Sequence, residues 1–198
     1  MCRLIETIEL KNGILSGIIY HNKRLNASRS ELFGIKKSLS IEKEIVIPEV
    51  YKKGIFRCRV LYDKNIIKTE FFPIKERYFK SLKLVYDNKI DYHLKYDDRS
   101  SLNKLLAKKG TADEVVIIKN GMVTDCSVGN LLFFDGHNWI TPDTPLLKGT
   151  QRTFLLNKKS IRKGTIKEGD ICKYHKVGII NALLNMSNMI VLPIENIF

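Results

Sequence analysis

The sequence predicts an α+β protein in two parts, and three observations lead there. Turn dipeptides flanked by alternating apolar residues recur at Asn12-Gly13, Asn120-Gly121 and Asp135-Gly136, which is the short-range signature of antiparallel hairpins. Stretches with helical spacing follow groups of strands and do not alternate with single strands, so a doubly wound parallel sheet is disfavoured. With 198 residues, 44% of them hydrophobic, the chain can bury a core of its own, as one domain or two small ones. The expected division is a smaller N-terminal α+β domain, residues 1–78, and a larger C-terminal α+β domain, residues 79–198.

Taken in order, LIETIELKNGILSGI forms the first hairpin around Asn12-Gly13. Leu25, Leu32, Phe33 and Ile35 then fit an amphipathic helix from His21 to about Lys37. Two β-rich runs joined at Asp63-Lys64-Asn65 read as a second hairpin, closed by Pro73. SLKLVYDNKIDY is a further strand and turn, and SSLNKLLAKKG is a helix with its stop at Gly110. From Asp113 to Pro142 the turn signals predict three or four antiparallel strands. GTQRTFLLNK restarts a helix, IRKGTIKEGDICKY holds a short strand and a turn or helix, and GIINALLNMSNMIVLPI contains two β-like runs.

The formal net charge of +13 is the compositional outlier. Its lysines are scattered in pairs such as Lys36-Lys37 and Lys158-Lys159, without the aromatic interleaving of RNA-binding surfaces, so a solvated cationic surface that attracts small anions is favoured over a nucleic-acid face. The four cysteines lie far apart without zinc spacing, and no metal site is expected. No stretch reaches the roughly 18 apolar residues of a membrane span. MCRLIETIELKNG lacks the apolar segment of a signal peptide, so the expectation is a reduced, cytoplasmic protein with no membrane partner.

One at a time, no residue announces an enzyme. Lys95 is one of 34 lysines and arginines, and neither a P-loop, a dinucleotide glycine motif nor a Ser-His-Asp arrangement is present. Four stretches together say more: HNKRLNASR, LKYDDRSSLNKL, VTDCSVGNLLF with TPDTPLLKGTQR, and INALLN. In identity and order they resemble the class IV aminotransferases, a family of pyridoxal 5′-phosphate enzymes, over Leu4 to about Leu192. The third stretch is the most specific. The resemblance implies the two-domain fold of D-amino acid aminotransferase-like proteins, here with a short N-terminal domain.

By that resemblance Lys95 matches the lysine that forms the Schiff base with the cofactor, as an activated amine nucleophile. Arg24 matches the arginine at the cofactor phosphate, a role suited to a forked cation; a plain helix-surface arginine is the alternative. Asp125 stands where the family has Glu, the carboxylate that keeps the pyridine nitrogen protonated; alternatively it is a turn residue. Thr150 and Gln151, at the start of the predicted helix, match the phosphate cup, where backbone N–H groups and the helix dipole favour an anion. Asn181 and Ala182 match a second phosphate-side loop, and INALLN could equally be a core strand.

On the substrate side, the period of two puts Arg57 and Arg59 on one face of a strand. Arg59 is offered as a grip for a substrate carboxylate, and Thr7 aligns loosely with a substrate-facing threonine of aminodeoxychorismate lyases. The INAL wording resembles those lyases more than branched-chain aminotransferases. The implied activity is conversion of 4-amino-4-deoxychorismate, a small anionic substrate, to 4-aminobenzoate and pyruvate, on the way to folate. A transaminase of branched-chain or D-amino acids with the same lysine and cofactor is the second reading, and a cofactor-free basic nucleic-acid-binding module is the third. The resemblance also implies a homodimer.

Overall fold

Alternation shapes the first sheet. In strand β1 (Leu4–Lys11) the residues Leu4, Glu6, Ile8 and Leu10 are all fully buried, as expected where successive side chains point to opposite faces. Asn12 (φ 48°) and Gly13 (φ 79°) turn the chain into β2 (Ile14–Leu15), the left-handed pair that a tight hairpin turn requires. Helix α1 (Ile18–Phe33) begins three residues before the expected His21 and ends at Gly34, whose φ of 69° stops it short of Lys37. A four-residue helix α2 (Ile41–Glu44) and a 3₁₀ turn (Glu49–Tyr51) follow; neither has enough residues to display a period, and neither was expected. Strands β3 (Ile55–Tyr62) and β4 (Ile66–Pro73) complete an antiparallel sheet in the order β2-β1-β3-β4.

The computed structural model describes residues 2–198. They divide into two compact units: one runs to Glu76 and takes in Leu94–Asp98, and the other holds Arg77–His93 and Arg99–Phe198. The short segment that carries Lys95 therefore groups with the first unit, where Leu94 and Tyr96 pack against Leu4, Ile8, Leu25 and Val60.

The second unit contains β5 (Leu82–Tyr86), helix α3 (Ser100–Leu106), β6 (Glu114–Lys119), β7 (Met122–Val123), β8 (Asn130–Phe134) and β9 (Trp139–Pro142). Helix α4 (Thr150–Asn157), β10 (Arg162–Gly164), β11 (Lys176–Ile180) and β12 (Ile190–Pro193) follow. The strands between Asp113 and Pro142 pair antiparallel as expected but split between two sheets, β5-β6-β7 and β10-β9-β8-β11-β12. Their outer neighbours β5 and β10 pair parallel to β6 and β9. Val116, Ile118, Leu131, Phe133, Val177 and Ile179 form the core beneath these strands. Among the described residues no helix is long and apolar enough to cross a membrane.

Candidate active site

In the first unit the site grows from a carboxylate in an apolar row. Glu6 shares the inward face of β1 with Leu4, Ile8 and Leu10, and it is wholly buried. An unpaired charge there would be costly, and α1 supplies the partners. Arg24 Nε donates to Glu6 Oε1 at 2.8 Å, Arg24 Nη2 to Oε2 at 2.5 Å, and His21 Nδ1 to Oε2 at 2.6 Å. Burial alone pushes the Glu6 carboxyl up, but the Arg24 charge with the His21 and Arg24 hydrogen bonds outweighs it, and the pKa falls to about 2. Arg24 is thus no plain surface residue: its guanidinium is held by a fork and is only 14% exposed.

Lys95 is half-buried at the apex of a tight turn. Tyr96 N–H donates to Leu94 O at 2.9 Å, the i to i+2 closure of a γ-turn. The Lys95 carbonyl accepts from Ile5 N–H at 2.9 Å, and Asp97 N–H donates to Arg3 O at 3.0 Å. Leu94 and Tyr96, on either side, lie in the apolar cluster.

Thr7 stands opposite Arg59, and Arg59 opposite Glu70, across β1, β3 and β4, so the three share the sheet face away from Glu6. Arg59 already carries two carboxylates: Nη1 donates to Glu70 Oε2 at 2.6 Å, and Nη2 donates to Asp97 Oδ1. Arg57, on the same face, lies over the Phe72 ring at 4.7 Å, and its buried Nε meets no acceptor among the described residues.

In the second unit Asp125 is buried, and both its oxygens accept from neutral donors. Asn130 Nδ2 reaches Oδ1 at 2.8 Å, and Leu147 N–H reaches Oδ2 at 2.9 Å. Burial is the largest influence and raises the pKa to about 6, with those donors and the Arg152 charge pulling the other way. Asn130 Nδ2 also donates to Leu147 O at 2.8 Å, which draws in the loop that leads to α4.

Gly149 begins α4 and has no room for a side chain, since a Cβ there would lie 2.0 Å from Asn130 Oδ1. No side chain caps this helix, so its first turn offers main-chain donors, with Thr150 buried and Gln151 half-buried at the start. Asn181 follows β11. Its Oδ1 accepts from Leu183 N–H at 2.8 Å and Leu184 N–H at 3.1 Å, and its Nδ2 donates to Val128 O at 3.1 Å. INALLN is therefore a strand end that becomes a tight turn, with Ala182 inside the turn. A Cβ at Gly129 would lie 2.3 Å from Ile180 O, so the turn after Asp125 and the Asn181 turn are closely packed.

The second unit thus brings Asp125, Thr150, Gln151, Asn181 and Ala182 to one neighbourhood, while Lys95, Arg24, Thr7 and Arg59 belong to the first. Sequence reasoning passed over Glu6, His21, Asn130 and Asp97. A carboxylate in the apolar inward row of β1 was the available signal for Glu6. Glu114, also overlooked, accepts from Ser127 Oγ at 2.8 Å and braces the turn that follows Asp125. Among the described residues no group of three or more His, Cys, Asp or Glu side chains is arranged to hold a metal ion.

The model of the family described as Amino-transferase class IV matches residues 93–194. An uncharacterized protein of Haemophilus influenzae is 40% identical over 185 residues, 92% of this chain and 98% of that one. A crystal structure from Haemophilus somnus 129PT, provisionally named a 4-amino-4-deoxychorismate lyase, is 36% identical over 94% of this chain and 98% of its own, with a TM-score of 0.87. A Mycobacterium tuberculosis structure, named as a hypothetical aminotransferase in its PLP-bound form, shares the fold at a TM-score of 0.75 and 13% identity, over 96% of this chain and 80% of that one.

Proposed function

The chain belongs to the class IV aminotransferase family, and from that premise we propose that it is a pyridoxal phosphate-dependent lyase that converts 4-amino-4-deoxychorismate to 4-aminobenzoate and pyruvate. The observation that carries the lyase reading is the 36% identity, over nearly the whole of both chains, to the Haemophilus somnus protein provisionally named for that activity. The cofactor is supported by the PLP-bound Mycobacterium tuberculosis structure of the same fold and by the donors present. The first unit offers an amine on a fixed turn and a clamped guanidinium, and the second an uncapped helix start behind a glycine with no room for a Cβ and a buried carboxylate, each a kind of group that suits an aromatic aldehyde phosphate.

When bound, the cofactor supplies an electron sink for charge that develops at the substrate carbon bearing the amine. Lys95 would hold the cofactor through Nζ and, once displaced by the substrate amine, take the proton from that carbon. Asp125, with a pKa of about 6, is mostly ionised at neutral pH and would keep a proton on the ring nitrogen. Arg24, the first turn of α4 with Thr150 and Gln151, and the Asn181-Ala182 turn would hold the phosphate. Thr7 would face the substrate, and the cationic surface would raise its rate of encounter. Substrate and products have the same atoms, so no second substrate is consumed. A homodimer is part of this proposal.

The test is incubation with 4-amino-4-deoxychorismate and pyridoxal phosphate alone. The lyase reading expects 4-aminobenzoate and pyruvate in equal amounts with no keto acid added, and loss of both in Lys95→Ala. Amino-group transfer that needs a keto acid, with no release of 4-aminobenzoate, would instead establish the transaminase reading that the family name also supports.

A further inference from the structure

We infer that Arg59 is a positioning residue for Lys95 and that it acts through Asp97, two residues further along. This rests on the proposed role of Lys95. The geometry is local to the first unit. Arg59 sits in the middle of β3, a strand paired along its whole length with β1 and β4, so its guanidinium projects from one of the most constrained backbones in that unit. One arm is fixed by Glu70 at 2.6 Å, and Glu70 is steadied in turn by Lys68 Nζ at 2.7 Å. The other arm holds Asp97.

The γ-turn at Lys95 therefore has an anchor on each side. Before it, Leu94 lies in the apolar cluster; after it, Tyr96 packs in the same cluster and Asp97 is tied to β3 by an ion pair and to Arg3 by its N–H. Packing and the main-chain bonds to Ile5 and Arg3 fix where the turn lies, whereas the direction of the Lys95 side chain also depends on how the residues just after the turn are held. The Arg59 to Asp97 pair adds a side-chain tie between that stretch and β3. With two carboxylates already beside it, Arg59 has its charge balanced within the sheet, which weakens its attraction for a substrate carboxylate.

The experiment follows attachment of pyridoxal phosphate itself. The Lys95 amine and the cofactor aldehyde join with loss of water, borohydride delivers hydride to the resulting C=N bond, and peptide mass reports the stable adduct at each lysine. In the natural protein the adduct is expected to accumulate at Lys95. Arg59→Gln and the nearly isosteric Asp97→Asn are each expected to slow attachment at Lys95 by about tenfold or more, since small misplacements of a reacting group carry large rate penalties. Both should lower kcat alike with KM for the substrate within twofold, and Arg59→Lys should recover part of the loss. Lys68→Gln, at the outer end of the charge row, should attach within twofold of the natural rate.

A substrate-gripping Arg59 gives a different pattern: KM rises in Arg59→Gln alone, while attachment is unchanged and Asp97→Asn is silent. That pattern, or natural attachment rates in both variants, overturns the inference. Equal slowing in Lys68→Gln overturns it too, because the effect would then be general to charge on the sheet. Failure of the natural protein to form the Lys95 adduct would defeat the cofactor proposal instead.

Discussion

Each of the two units buries one carboxylate at the heart of its candidate site, and the two are displaced in opposite directions. Glu6 is clamped by a guanidinium and a histidine and falls from 4.5 to about 2. Asp125 receives hydrogen bonds from neutral donors, an amide and backbone N–H groups, and rises from 3.8 to about 6. Each displacement corresponds to about 3 kcal/mol between the charged and neutral forms, with opposite sign. Burial works the same way on both; the difference lies in whether a cation is hydrogen-bonded directly to the carboxylate, as Arg24 is to Glu6, or acts on it without such a bond, as Arg152 does on Asp125. Glu6 is held ionised across the accessible pH range, whereas Asp125, the carboxylate proposed to face the cofactor, is left close to titration.

The contrast can be broken most severely at Glu6. Glu6→Ala leaves Arg24 in a largely buried position without its anion, and we expect a loss of about 3–5 kcal/mol, measured by urea unfolding at pH 7, together with weaker cofactor binding. At Asp125 the expected damage is to activity. Asp125→Asn should reduce kcat about a hundredfold, the scale of one lost charge interaction in a reacting site, while its melting temperature at pH 8 falls less than that of Glu6→Ala, because removal of a buried charge offsets part of the cost of setting a carboxamide N–H against the Asn130 or Leu147 donor. A melting temperature that falls as far as in Glu6→Ala would mean that Asp125 is an anchor after all.

Gly149→Ala is the next step down. Its methyl would collide with the Asn130 amide that feeds Asp125, and a cost of about 1–3 kcal/mol follows from overpacking, read as a drop in melting temperature with a matching loss of cofactor affinity.

Acidity separates the two carboxylates directly. Glu6, held below its unfolded value, contributes stability that is complete above pH 4.5 and lost as the pH falls through about 2. Asp125, held above its unfolded value, favours folding most below pH 3.8, and that contribution is lost as the pH rises through about 6. Stability curves of Asp125→Asn and the natural protein should therefore diverge between pH 4 and 6, with the variant gaining as the pH rises. At the small end, Lys52→Gln removes an ion pair with Glu49 whose partners are 51% and 83% exposed; no measurable change in melting temperature is expected, as for most surface pairs.

The elements were largely legible in the sequence and their partners were not. Asn12-Gly13 and Asn120-Gly121 turn where their dipeptides indicate, with Asn120 at φ 51° and Gly121 at 73°, because turn chemistry is local. That β6 and β8 lie in different sheets, or that β5 and β10 pair parallel to their neighbours, depends on packing between distant residues. The same limit applied to the site. A motif could name Asp125 and Thr150 as candidates, but the Glu6 to Arg24 fork spans 18 residues and two elements, and the Arg59 to Asp97 pair spans 38.

The γ-turn at Lys95 has one more consequence, for redesign. Of its flanking residues, Leu94 is buried in an apolar cluster and Tyr96 packs against it, so a lysine transplanted to 94 would drive its ammonium into hydrocarbon and one at 96 would give up the ring's packing. Directed evolution of this scaffold can shuttle a nucleophile along the segment in one register alone, and saturation libraries at 94 and 96 should return hydrophobic residues.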